Sequence, residues 1–523
     1  MNENASTKAT AAASSARPAT ISGTPRMPKR IAAVIINSLK GGVVPRIGLP
    51  YITVGRETEI AALLHDLDLI ASGGASFRFL VGRYGAGKSF LIQTIRTHAM
   101  GKGFVVADAD LSPERRLQGR HGEGLATYRE LIRNLSTKTR PEGGALQLVL
   151  DRWVAGLEAA GSDGAPAVPG GTSQQAPSPI DAEFARQMAP LEEMVHGFDS
   201  VRVLRAYREA VANGDDERRG AVLRWLRGEY RTKTEARQDL GINACITDDD
   251  WYDYLKLLAQ FLTGAGYQGL LVLVDELVNL FKIPNAITRQ YNYEKILTMY
   301  NDTLQGKAHH LGIIMGGTPQ SIEDRRRGVY SYEALRSRLA EGRFAREGLS
   351  DMLAPVIKLN PLTYEELLVL IEKLADIHAG YFGYERTLAT DDLVRFLQIE
   401  FSRVGADTHL TPREVIRDFV ELLDILCQNP GTTMEGVLAE SGEQGVAAFG
   451  GTGTAEAVGA STGAGIGGAR PATAGAGIGR NRSTTAGAAP ASSASPASTL
   501  SGARSDTASG TEPSHRDFSE FEI

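Results

Sequence analysis

Cysteine is almost absent. Cys245 and Cys427 are the two in 523 residues. They stand far apart with no Cys/His cluster around either, which excludes a disulfide scaffold and a zinc-ribbon spacing. Long apolar runs are missing too, so no segment reads as a membrane span and no membrane partner is expected. The opening residues, MNENASTKATAAASSARPAT, lack the apolar stretch of a secretory signal. Their Ala/Ser/Arg bias fits a transit peptide or an unfolded tail; the tail is the simpler reading, in a cytoplasmic protein. A strong charge of one sign is also lacking. A net charge of −6 argues against a surface that is all nucleic-acid footprint, while leaving a local basic patch open.

Large aliphatic and aromatic side chains are scarce at both ends. Residues 1–28 and about 438–513 are mostly Ala, Gly, Ser, Thr and Pro, which bury too little apolar surface to offset chain entropy. Most of the excess among the 58 glycines falls there, so disordered termini are expected. The remaining ~400 residues, at roughly 150 per domain, have the composition of an ordinary globular protein.

Within them, IAAVIINSLKGG from residue 31 reads as a short amphipathic helix closed by glycine. An extended segment between Pro45 and Pro50 follows, then a helix over 57–70. Residues 76–81 (SFRFLV) form an apolar strand, followed by GRYGAGKS, a helix, and a second strand over 104–107. Strand, Gly-rich turn, helix and strand make a βαβ unit and imply a parallel sheet. From 111 to 268 the strand signal gives way to helical periodicity, clearest in ATYRELIRNLS, ALQLVLDRWVAGLEAA, DSVRVLRAYREAVAN and DDWYDYLKLLAQFL. A Pro/Gly/Gln-rich loop over 161–180 interrupts it. Strands resume at 270–274, 311–315 and 355–359, with a helix over 291–305, and helices fill 361–427.

Gly82-Arg83-Tyr84-Gly85-Ala86-Gly87-Lys88-Ser89, followed by Phe90, fits G-x-x-x-x-G-K-[ST] between a strand and a helix. The glycines let backbone N–H groups cradle phosphate oxygens, Lys88 reaches the β and γ phosphates of ATP, and the Ser89 hydroxyl ligates Mg²⁺. A chance match somewhere in a chain this rich in glycine has odds of roughly a few per cent, before the strand and helix context is counted. LLVLV runs into Asp275 and Glu276, the arrangement in which the first carboxylate holds Mg²⁺ and the second orients water for hydrolysis.

Further residues agree with one family pattern. Val54-Gly55-Arg56-Glu57 with Glu59 resembles the box that opens the nucleotide pocket in initiator-type and signal-transduction AAA+ ATPases. The resemblance implies a γ-phosphate sensor at Thr318, a helical lid from Leu359-Asn360-Pro361-Leu362 onward, a lid arginine at Arg413, and a subunit-bridging arginine at Arg336 or Arg338. Each has a plainer alternative: Thr318 as a turn residue, Arg413 as a first-turn helix residue, Arg336 and Arg338 as a solvated face. Asp108 and Asp110 either supply a switch residue near the phosphates or merely start a loop. The arginine run at 325–327 is either surface or a phosphate contact. More narrowly, NSLKGGVVPRIGLPYITVGRE leading to FLVGRYGAGKSFL, then a long helical insertion before LLVLVDE, resembles the BrxD-type ATP-binding proteins of bacterial BREX phage-defence loci. That implies protein partners from the same locus, such as a helicase.

The expected fold is therefore α/β. A P-loop, AAA+-like parallel-sheet core (29–110 and 269–360) is joined by a helical insertion (111–268) and a C-terminal helical lid (361–430), with a low-complexity tail (431–523). The lid runs directly into that tail, leaving no space there for the winged helix with which initiators hold duplex DNA. Three readings follow: an ATPase acting with partners, as a homo-oligomer if the bridging arginine is used; a nucleotide-gated module with little turnover; and a DNA-remodelling helicase loader. The end of the tail, HRDFSEFEI, reads either as a tethered docking peptide or as an unselected chain end.

Overall fold

The computed structural model describes residues 27–162, 178–342, 351–403 and 411–438. Most of both tails, most of the loop expected over 161–180, and the docking peptide lie outside the described residues. Five strands form one parallel sheet: β1 (Ala75–Val81), β2 (Val105–Asp110), β3 (Leu270–Asp275), β4 (Leu311–Gly317) and β5 (Val356–Lys358). Their order across the sheet is β2-β3-β4-β1-β5. β2 runs further than the apolar pattern suggests, because Asp108, Ala109 and Asp110 still pair with Leu273, Val274 and Asp275. A ladder needs only backbone, and the polar side chains concealed it.

Successive strand residues face opposite sides, so each strand feeds two cores. On one side Leu80, Val106, Leu271, Leu273 and Ile314 pack with residues of the helices Glu57–Ala71 and Lys88–Gly101. Arg78 is buried on β1, and its guanidinium donates to both Asp66 oxygens at 2.6 and 2.7 Å, tying the first of those helices to the strand. On the other side Phe79, Val81, Ala107, Val272 and Met315 continue without a break into the helices between β2 and β3, through Trp153, Tyr207, Trp225 and Trp251. Those helices include Pro179–Glu192, Asp216–Leu226 and Lys233–Leu240, whose periodicity is diluted by charged residues.

The helix Lys29–Lys40 precedes the strands in the chain but packs elsewhere. Its buried Ala32, Ile35 and Ile36 share a third apolar cluster with Ile371, Phe396, Phe419 and Met434 of the C-terminal segment. The C-terminal helices there are Tyr364–Phe382, Thr390–Arg403 and Pro412–Gln428. Between Lys40 and the first sheet helix, the stretch expected to be extended contains one helical turn, Leu49–Ile52, with Pro50 in its first turn, where the missing N–H costs nothing.

Candidate functional site

In this strand order the chain runs from β1 toward β2 at one edge and from β4 toward β5 at the other, so its direction reverses between the adjacent strands β4 and β1. Ligands of open parallel sheets bind outside the carboxyl ends of the strands at such a point. The Gly-rich loop over 82–87 leaves the end of β1 and enters the helix Lys88–Gly101. No side chain caps that helix, so its first N–H groups stay available to an anion. Lys88 curls back over the loop, donating to the carbonyls of Gly82 at 2.9 Å and Arg83 at 3.0 Å. Its ammonium lies 5.5 Å from the Tyr84 ring centroid. Burial pushes the Lys88 pKa down; Asp275 and Glu276 pull it back and Arg413 pushes it down again. Both cations and both carboxylates therefore act on one small volume.

β3 ends in the carboxylates. The Ser89 hydroxyl donates to Asp275 Oδ2 at 3.0 Å, and the Glu276 N–H donates to Asp275 Oδ1 at 2.8 Å. Glu276 has a left-handed backbone, φ 63°, where non-glycine residues are uncommon and strain tends to mark function. Asp110 sits opposite Asp275 on the ladder. Burial raises its pKa, and Asp275, Asp108 and Glu276 raise it further. Asp108 instead accepts from the buried Arg96 at 3.3 Å.

The cleft over these groups is lined by Val54, by residues 84–90, and by Asp275, Glu276, Thr318 and Arg413. Thr318 follows β4 and caps the helix Pro319–Glu323 through a capping box with Ser321, so its turn role and its place in the cleft coexist. Arg413 lies in the first turn of Pro412–Gln428 and, among the described residues, makes no hydrogen bond or ion pair. Gly55, Gly82 and Arg83 are next to lining residues without lining the cleft themselves. Arg336 and Arg338 are not in it either: Arg336 pairs with Glu333 on its own helix, and Arg338 donates to the Ala334 carbonyl at 2.8 Å. Of the arginines at 325–327, Arg327 is spent on the Phe281 and Ile283 carbonyls, while Arg325 and Arg326 are exposed.

Two features of the cleft are not evident from the sequence. Leu39, Val43 and Val44, around the end of the first helix, supply an apolar stretch of its lining. Arg56, quoted only as part of a motif, lines the cleft as well. The VGRE box signalled that the segment mattered, but nothing local said what its arginine touches.

A family model, the BREX system ATP-binding protein BrxC/D, matches residues 27–441. The chain belongs to this family. The matched stretch contains every wall of the cleft, the first helix and the C-terminal helices included. ATP is thus the ligand the family description supplies, and the BREX system is its setting. No curated protein matches the chain. Among the described residues no helix is long and apolar enough to cross a membrane.

Proposed function

We propose that the chain is a cytoplasmic AAA+-like P-loop ATPase that binds and hydrolyses Mg-ATP in this cleft and works with other proteins of a BREX phage-defence system, such as a helicase. The observation that carries the reading is the convergence of Lys88, Ser89, Asp275 and Glu276 at the carboxyl ends of β1 and β3. The sheet order and the uncapped helix behind the Gly-rich loop support a P-loop core, and the C-terminal helices bearing Arg413 support a lid.

The residues present suit Mg²⁺. Ser89 and Asp275 offer hard oxygen donors already 3.0 Å apart, and no group of three or more His, Cys, Asp or Glu side chains among the described residues forms a cage for a metal. Mg²⁺ commonly takes one or two protein oxygens and completes its shell with phosphate and water. When bound it would neutralise charge on the β and γ phosphates. Lys88, released from the Gly82 and Arg83 carbonyls, would bind those phosphates by charge. Glu276 would orient a water and accept its proton as oxygen attacks the γ-phosphorus and the bond to the ADP oxygen breaks. Arg413, which makes no hydrogen bond or ion pair among the described residues, would offset the charge that develops, and the Thr318 hydroxyl would donate to a γ-phosphate oxygen.

Purified protein, alone and with DNA or co-purifying proteins, tests this by ATP hydrolysis and nucleotide binding. Lys88→Ala should lose binding. Glu276→Gln should keep binding and lose turnover by roughly 10²–10⁴-fold, since the amide keeps the shape but not the basic oxygen. Unmodified turnover in Glu276→Gln would remove the hydrolytic assignment and favour a nucleotide-gated module.

A further inference from the structure

Arg56 adopts a left-handed backbone, φ 66°, just before the helix Glu57–Ala71. An arginine held there against its own preference calls for a compensating contact. Its guanidinium makes three. One nitrogen donates to Glu59 Oε1 at 3.1 Å. The other donates to the Ala86 carbonyl, inside the Gly-rich loop, at 3.1 Å, and to the Asn360 carbonyl, in the link from β5 to the C-terminal helices.

The neighbours of Arg56 are pinned to those same helices. Lys373 donates to the Thr53 carbonyl at 2.8 Å. A Cβ on Gly55 would press on Glu366 Oε1, and φ there is +64°, a conformation that glycine adopts without steric cost. Residues 53–56 therefore touch the lid on one side and the Gly-rich loop on the other.

We infer that Arg56 is a positioning residue that couples the Gly-rich loop to the lid hinge at Asn360, so that a phosphate held by the loop biases where the lid sits. This rests on the nucleotide reading of the cleft. Both terminal nitrogens of the guanidinium are already engaged by protein oxygens, so Arg56 acts through the loop rather than on phosphate. A planar fork is needed: one lysine ammonium lacks the rigid two-nitrogen geometry that spans Glu59 and two carbonyls.

Coupling is reciprocal, so its loss must appear equally at both ends. Hydrogen exchange on the full chain, with and without Mg-ATP, reads it directly. In the unmodified protein, nucleotide should protect amides at 82–90 and at 358–366. In Arg56→Lys and Arg56→Gln, saturating nucleotide should still protect 82–90, while the added protection at 358–366 falls by roughly 5- to 150-fold and the nucleotide Kd rises by a similar factor. Full hinge protection in Arg56→Lys would overturn the inference. So would a loosening at 358–366 that is the same with and without nucleotide, the mark of a merely structural residue. An unmodified protein showing no protection of 82–90 would instead overturn the nucleotide reading itself.

Discussion

A Cβ added to Gly316 would overlap Asp275 Oδ1. β4 must therefore be bare beside the carboxylate that β3 delivers, and Gly316→Ala should displace Asp275 from Ser89. Misplacement of a reacting constellation by about 1 Å can cost on the order of 10²-fold in rate. The expected result is turnover reduced to about that degree, with nucleotide still captured by Lys88 and the loop; steady-state hydrolysis beside a binding titration checks it, and normal turnover would show that Asp275 has no such role. Residues of this kind divide by how local their chemistry is. Lys88, Ser89, Asp275 and Glu276, which line the cleft, stand out in the sequence because a G-x-x-x-x-G-K-[ST] run after an apolar strand and a strand ending in two acids are local patterns. Gly316 and Arg56 do not, because what they meet lies far along the chain.

At the scale of elements, the helix Lys29–Lys40 is fastened to the C-terminal helices by a polar chain as well as by apolar packing. Lys40 Nζ lies 2.5 Å from Asp424 Oδ2, His378 Nε2 lies 3.1 Å from Asp424 Oδ1, and the Tyr384 hydroxyl lies 2.8 Å from His378 Nδ1. Neutral His378 satisfies this arrangement, donating to Asp424 and accepting from Tyr384. Burial pushes the His378 pKa down, and Asp424 only partly restores it. Burial also works to raise Asp424, but the bonds from Lys40 and His378 outweigh it and hold the carboxyl below its ordinary value. The unfolded chain therefore takes up the histidine proton first, at about pH 6.5, and stability should decline as pH falls below that value; the Asp424 contribution should be lost only below about pH 4. His378→Gln should flatten the dependence between about pH 7 and 5, measured as urea midpoints. An unchanged slope would exclude His378 as its source. The existence of this first helix was legible from periodicity, whereas its partner was not, since an amphipathic face states only that something covers it.

For the molecule as a whole, Arg336 and Arg338 lie on the helix Glu333–Leu339 after β4 and outside the cleft of their own chain. An arginine brought to the γ-phosphate by a neighbouring subunit would link hydrolysis to assembly. Lys88→Ala protein mixed with Arg336→Ala/Arg338→Ala protein should then recover part of the activity that each lacks alone, because some interfaces pair an intact loop with an intact arginine. Full activity in a monomer at every dilution would exclude this arrangement.

All five strands, their parallel direction and the position of the Gly-rich loop followed from the sequence by itself, because each depends on apolar runs and turn chemistry within a few residues. Membership in a BREX ATP-binding family was legible in the same motifs. Tertiary structure alone decided three things. It placed the helices between β2 and β3 on one face of the sheet as a single continuous core. It moved the first helix from the sheet to the C-terminal cluster. It brought Arg56 to carbonyls 30 and 304 positions away. Each of these is a choice of partner. Burial and hydrogen bonding reward many partners almost equally by residue type, and only the geometry of the assembled chain selects among them.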